Sequence, residues 1–328
     1  MTGARRLAAG PVAAALVAAL AVPAAAYDHG GGGTGTSTGT SITSQVRLTV
    51  NSGGGQGVQH LTADDTSWTP PPCWFEPRFT AEQYQAYWEN EILPAAGSFK
   101  QYVYPQYEAL KAIDFNKGKD GLWWGLTFAN RAWDLPSYEQ CFQKAGETWV
   151  TPAGPPAGVP AVTPQLLSRI AYAATKLPSV QVALSPAADS QVVNLPTYVK
   201  LDQPLAPVSV TAQLDVLGVR IAASTLAVPV SLQVDAGTDE AAPSRCTYPM
   251  AKAGGSYQVN SEGSGCNITY QRATNGKRYP LTGRITWKVT WTASANPYAA
   301  PTGALPDGTS TSTPQDVAVK EIQTVVTG

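Results

Sequence analysis

Few side chains in this sequence have the chemistry to act on a substrate. A nucleophilic triad needs a histidine base, and the chain has two histidines, His29 and His60. His60 stands in a polar stretch from Gly57 to Asp65, close to Asp64 and Asp65, which reads as a solvated loop rather than a catalytic constellation. A glycosidase needs only two carboxylates held across a sugar, and Glu82, Glu89, Glu91, Glu108 and Asp120 are the candidates. Their spacing on the first predicted helix reads as an ordinary wet face opposite Tyr84 and Trp88. Cys73, Cys141, Cys246 and Cys266 are an even set. In an exported chain they predict two disulfides, Cys73 with Cys141 and Cys246 with Cys266, each inside one proposed domain, although four cysteines allow three pairings. The sequence has no Cys-x-x-Cys or His-x-x-x-His spacing, so neither a metal nor a cofactor is expected. Asp235, Asp239 and Glu240 have the oxygen chemistry for Ca²⁺, and an uncomplexed turn accounts for them as well.

Aromatic residues are the richest signal. Of 29 in the chain, 18 lie between Cys73 and Trp149, including all six Phe. Trp123 and Trp124 are adjacent, so their side chains point in different directions and one is expected near the surface, where a flat indole can stack on a sugar or grip a partner protein. The competing reading places them in the core of a small disulfide-closed domain. Trp287 and Trp291 share the phase of Ile285 and Val289 and read as core.

The elements that must position these residues follow from periodicity. Arg5 and Arg6, an apolar run from Pro11 to Val22 and small Ala24 to Ala26 match a secretory signal, residues 1–26, cleaved before Tyr27. Residues 27–72 read as a flexible Gly/Ser/Thr leader with one short strand at Val46, Leu48 and Val50. In the aromatic segment, residues 73–150, Thr80 and Gln83 have capping-box spacing ahead of Tyr84 and Trp88. A second helix is predicted over Phe99 to Ile113, and a third from about Asp134 past Cys141 towards Trp149. Residues 151–192 combine a Pro-rich connection with a helix opened by Thr163 and Pro164, whose Leu167, Ile170, Ala171 and Ala174 share one face. Beyond it the period changes to two, at Val208 to Val216, Leu226 to Val234 and Ile285 to Trp291. Pro306, Asp307 and Gly308 supply turn chemistry before a last strand near Val317 and Val319.

Two stretches carry a resemblance. Asn194-Leu195-Pro196-Thr197-Tyr198 ahead of Leu201-Asp202, and Cys266-Asn267-Ile268-Thr269-Tyr270 with Tyr279 to Thr292, are similar to segments of uncharacterised secreted actinomycete proteins. In that group the first motif usually reads Asn-Leu-Pro-Thr-Trp-Leu-Trp, whereas this chain has Tyr198 and Lys200 at the two Trp positions. The group's C-terminal part looks like a PKD domain, an immunoglobulin-like β-sandwich. Val234-Asp235-Ala236-Gly237-Thr238 sits where such domains have Gly-Asp-Gly-Thr. The resemblance covers residues 163–328 and implies an adhesive or spacer module, with no activity attached.

The expected fold class is therefore α+β, a small aromatic-rich helical or mixed N-terminal domain followed by an antiparallel immunoglobulin/PKD-like β-sandwich over 193–328. With 22 basic and 23 acidic residues, the chain lacks the basic footprint that nucleic acid or an anionic membrane demands. No later segment is apolar enough to anchor it. The expected function is that of a secreted, non-catalytic binding or envelope-associated protein that recognises a cell-wall glycan or a surface protein. A carbohydrate-active hydrolase with paired carboxylates in 73–150 is the alternative.

Overall fold

The computed structural model describes residues 46–51, 58–60, 62–63, 71–128, 138–143, 146–155 and 161–322. The expected signal peptide and most of the leader lie outside them. The largest sheet has eight strands. Its path runs through β1 (Val46–Asn51), β11 (Val208–Val216), β12 (Val219–Asp235), β17 (Tyr279–Thr292), β18 (Gly303–Thr311) and β3 (Thr62–Ala63). On the second half of β12 lies β13 (Arg245–Pro249), and on the start of β17 lies β19 (Gln315–Val317). All these pairings are antiparallel. The molecule is thus mostly antiparallel β with few helices, and the large sheet curls into a half-barrel.

Period-two alternation works here because it delivers one row of side chains to the inside. Ile285, Trp287 and Val289 of β17 are fully buried, and the Trp287 indole N–H donates to Ser310 Oγ at 2.9 Å. Trp291, expected to share that core, is only half-buried, at the edge of a neighbouring cluster. The less regular pattern of β12 has a physical cause. Ala223, Thr225 and Ala227 point inward along its first half, a bulge follows between Pro229 and Ser231, and Leu232 and Val234 point inward beyond it. The extra residue shifts the phase and leaves Val230 exposed. A second bulge, opposite Trp287 and Val289, corrects the expected turn at Pro306 to Gly308. These residues lie within β18, where a strand tolerates a residue that lacks a backbone N–H.

Smaller pairings close the molecule. A strand at β2 (Val58–His60) runs antiparallel to β7 (Lys176–Pro178), so the backbone of His60 lies in a strand and not in the loop expected for it. The three-stranded sheet of β8 (Val182–Ser185), β10 (Pro196–Leu201) and β16 (Ile268–Thr269) covers the inner face of the core. There β9 (Gln191–Val192) runs parallel to β20 (Val319–Lys320), and β14 (Ala251–Ala253) pairs with β15 (Ser256–Gln258) in a hairpin. Buried Gln191 accepts from Thr197 Oγ1 at 2.6 Å and donates to the carbonyl of Pro186, which ties β9 to β10.

The aromatic segment forms a second, three-stranded antiparallel sheet of β4 (Cys73–Phe79), β5 (Leu122–Phe128) and β6 (Thr148–Val150). Helix α1 (Ala81–Tyr87) starts at the Thr80–Gln83 capping box and runs through a π-helical turn, Trp88–Ile92, into the short α2 (Leu93–Ala95). Helix α3 (Lys100–Ala112) follows with Pro105 inside it. The third predicted helix is shorter than expected: α4 is Tyr138–Phe142, and Trp149 lies in β6, paired with Trp123. Gly146, with φ of 136°, stands between the two elements, and Thr148, Trp149 and Val150 favour a strand. Disulfides join Cys73 of β4 to Cys141 of α4, and Cys246 of β13 to Cys266.

Helix α5 (Pro164–Ala173), capped by Thr163, packs Leu167, Ile170 and Ala171 against Val210, Ala212 and Leu214 of β11. Trp74 of β4 enters the same cluster, so the aromatic sheet shares a core with the large one. Each such leucine or isoleucine stabilises the packing by about 1.5–3 kcal/mol.

Candidate binding surface

Strand β5 sits between β4 and β6, and its adjacent tryptophans go to opposite faces. Trp123 stacks on Tyr84 at 4.4 Å and meets Trp149 edge-on at 5.5 Å, while its indole N–H donates to the carbonyl of Phe115 at 2.9 Å. Trp124 packs with Cys73, Phe75, Leu126, Cys141 and Val150. They are 5% and 7% exposed. The expectation that one of them reaches the surface is therefore corrected: helices α1 and α3 cover one face of this sheet, and the disulfide-linked cluster covers the other.

The face that carries Trp123 also holds a polar layer. Glu76 is 4% exposed and accepts from Trp74 Nε1 at 3.1 Å. Burial pushes its carboxyl above the ordinary glutamate value, against the opposing pull of hydrogen bonds from Thr127 and Trp74 and the charge of Arg78. The Arg78 side chain lies across Gly125, and its Nη2 donates to the Leu126 carbonyl at 2.7 Å and to Thr127 Oγ1 at 3.2 Å. Nearby, the Tyr84 hydroxyl donates to Glu147 Oε2 at 3.1 Å, and burial, then the adjacent carboxylate, raises its pKa well above the usual tyrosine range.

The carboxylates proposed for sugar hydrolysis are placed differently. Glu82, Glu89, Glu91, Glu108 and Asp120 are all exposed. Glu82 is held below the usual glutamate range by its own backbone N–H and the Thr80 side chain, and Glu89 by Gln85 and the Tyr107 hydroxyl. A general acid at neutral pH needs a shift in the opposite direction. At the end of β12, Asp235 accepts from the Gly237 N–H at 2.9 Å and from Arg245 Nε at 2.6 Å, and in the loop beyond it Glu240 accepts from Arg272 at 2.8 Å. Their oxygens are engaged with donors, and the described residues contain no group of three or more His, Cys, Asp or Glu suited to a metal ion.

Helix α3 is where aromatic surface meets solvent. It turns Val103, Tyr107 and Leu110 towards Trp88, Phe115 and Trp123, at the i, i+4, i+7 spacing of one helix face. None of its residues is fully buried. Phe99, Tyr102, Gln106, Ala109 and Ile113 are all exposed, at alternating spacings of three and four residues that align them in a second row. Tyr102 is 56% exposed, and Tyr104 is exposed on the other flank of the helix. The sequence contained the signal for this row: once Val103, Tyr107 and Leu110 take the inward face, Tyr102 cannot share it. Glu76 had no comparable signal, because β4 alternates Trp, Phe, Glu, Pro and Arg without a clear phase.

No protein-family model, curated protein or solved structure matches this chain.

Proposed function

We propose that the chain is a secreted, non-catalytic binding protein that docks another surface protein through helix α3. The observation that carries this reading is the exposed Phe99–Tyr102–Ile113 row, which runs the length of a helix already seated on its other face. The row places large apolar side chains at both ends of one exposed helix face, Phe99 and Tyr102 at its start and Ile113 at its end, with Gln106 and Ala109 between them, and a helix face read every three or four residues suits an apolar groove or a second helix. Two disulfides favour an oxidising location. Among the described residues no helix is long and apolar enough to cross a membrane. The antiparallel C-terminal half, in this reading an immunoglobulin- or PKD-like support, holds the aromatic unit in place through the core that Trp74 and α5 share.

A photo-crosslinking amino acid in place of Tyr102, with the same group in place of exposed Asp120 as control, tests the reading on the surface of the producing cells. A discrete protein adduct is expected from position 102 only, and it is expected to vanish with Ile113→Lys. Equal labelling from both positions, or an adduct of twice the chain's own mass, refutes a surface-protein partner at α3.

A further inference from the structure

The connection between β17 and β18, residues 293–302, presents one tyrosine to solvent. Tyr298 is 65% exposed, more than any other described tyrosine. The loop beneath it is fixed by its own side chains. Thr302 Oγ1 accepts from the Ala293 N–H at 3.0 Å, Ser294 Oγ from the Asn296 N–H at 3.0 Å, and Asn296 Oδ1 from the Tyr298 N–H at 3.0 Å. The Thr302 N–H donates to the Trp291 carbonyl at 2.7 Å, and Ser224 Oγ of β12 donates to the Ser294 carbonyl at 2.7 Å, which anchors the loop to the sheet.

These bonds have a common chemical consequence. Thr302, Ser294 and Asn296 each serve as acceptor to a backbone N–H, so each satisfies the loop through an oxygen lone pair and keeps its own O–H or N–H hydrogens as donors. From Val289 to Pro306 the chain has no Asp, Glu, Lys or Arg, and the flanking Lys288 and Asp307 pair with each other at 3.5 Å. The loop thus combines an exposed aromatic ring, three side chains whose donors are not used in these bonds and no charged residue of its own, on a backbone fixed before a ligand arrives. Preorganisation of this kind reduces the ordering cost of binding.

We propose that residues 294–302 are a binding site for a neutral polysaccharide, with Tyr298 stacking on a sugar ring and Asn296 and Thr302 donating to its hydroxyl oxygens. An aromatic face suits the C–H face of a pyranose, and a rim that offers donors suits a ligand dense in oxygen acceptors. Absence of charge disfavours acidic glycans and nucleic acids. This site is separate from the α3 row and does not depend on it.

The test is saturation-transfer NMR with titration of three neutral oligosaccharides, cellohexaose, chitohexaose and maltohexaose, with polygalacturonate as the charged control. Saturation of at least one neutral oligosaccharide is expected, with an affinity that falls about tenfold in Tyr298→Ala, a change at an exposed position that leaves the fold intact. Asn296→Asp keeps the acceptor for the Tyr298 N–H but exchanges the side-chain donors for a carboxylate oxygen, and is expected to weaken binding several-fold while the Tyr298 amide resonance stays in place. Tyr102→Lys on α3 is expected to leave the affinity unchanged. Three results would each overturn the proposal: no saturation by any neutral oligosaccharide, affinity in Tyr298→Ala within a factor of two of the parent, or loss of binding on Tyr102→Lys alone.

Discussion

Replacing Gly125 by alanine tests the polar layer of the aromatic sheet. A Cβ built at this position lands on Arg78 Cδ, with Nε at 2.7 Å and Cζ at 3.2 Å, so the guanidinium must lift off the strand. It then gives up its bonds to the Leu126 carbonyl and Thr127 Oγ1, and Glu76 loses the nearby positive charge. At about 1 kcal/mol net for each partly exposed hydrogen bond, the loss is about 2 kcal/mol. The stiffer unfolded chain returns about 0.4–1 kcal/mol, because Gly125 does not have a positive φ that alanine would find strained. Gly125→Ala is therefore expected to lower stability by about 1–1.6 kcal/mol at pH 7. In an Arg78→Ala background the three atoms nearest to the added methyl group are gone, and the same change is expected to stabilise by about 0.4–1 kcal/mol. Urea unfolding of the four proteins of this cycle, followed by tryptophan fluorescence, measures both signs. An effect of Gly125→Ala that is the same in the two backgrounds would refute the reasoning, since it would mean that the arginine does not lie across the strand.

The raised carboxyl of Glu76 sets a pH dependence with a definite sign. Its contribution to stability is full below the unfolded glutamate pKa of about 4.3 and is lost as pH rises through the higher folded value. The urea midpoint of Glu76→Gln relative to the parent should accordingly rise between pH 4 and pH 8, and a constant difference would remove Glu76 as the cause. The two disulfides close loops of unequal length, with sequence separations of 68 and 20. Loop-closure entropy predicts that Cys73→Ala/Cys141→Ala costs about 4.4 kcal/mol and Cys246→Ala/Cys266→Ala about 3.3 kcal/mol, and a reversed order in denaturant titrations would show that packing around the sulfurs outweighs the chain entropy.

The parts of this fold that were legible in the sequence are those fixed by local rules. Thr80 and Gln83 cap α1 through reciprocal hydrogen bonds, and Thr163 with Pro164 opens α5. Ile285, Trp287 and Val289 needed only their alternation to be placed inward. What stayed hidden depends on contacts between distant segments. Nothing local to Pro306 says that β17 will run past it and take it up as a bulge. Adjacent Trp123 and Trp124 must diverge, but only the arrival of helices on one face and of Cys141 on the other decides that neither stays in solvent. The exposed row on α3 is readable only once the inward face of that helix is known, and the setting of Tyr298 only through the hydrogen bonds of its loop.

Strand β3 finds its partner in Gly308 and Thr309, and β9 finds its partner in Val319 and Lys320. An early stretch of the described chain and its latest strands are thus woven into the same body. A growing polypeptide cannot complete that weave before β18 and β19 have been synthesised, so the second edge of β17 stays open until they emerge. Such ordering is expected to make folding slow, because the chain gains its non-local pairings only after it has met the entropy of closing long loops. It also sets the interval in which an incomplete chain is most exposed to proteases and to edge-to-edge association.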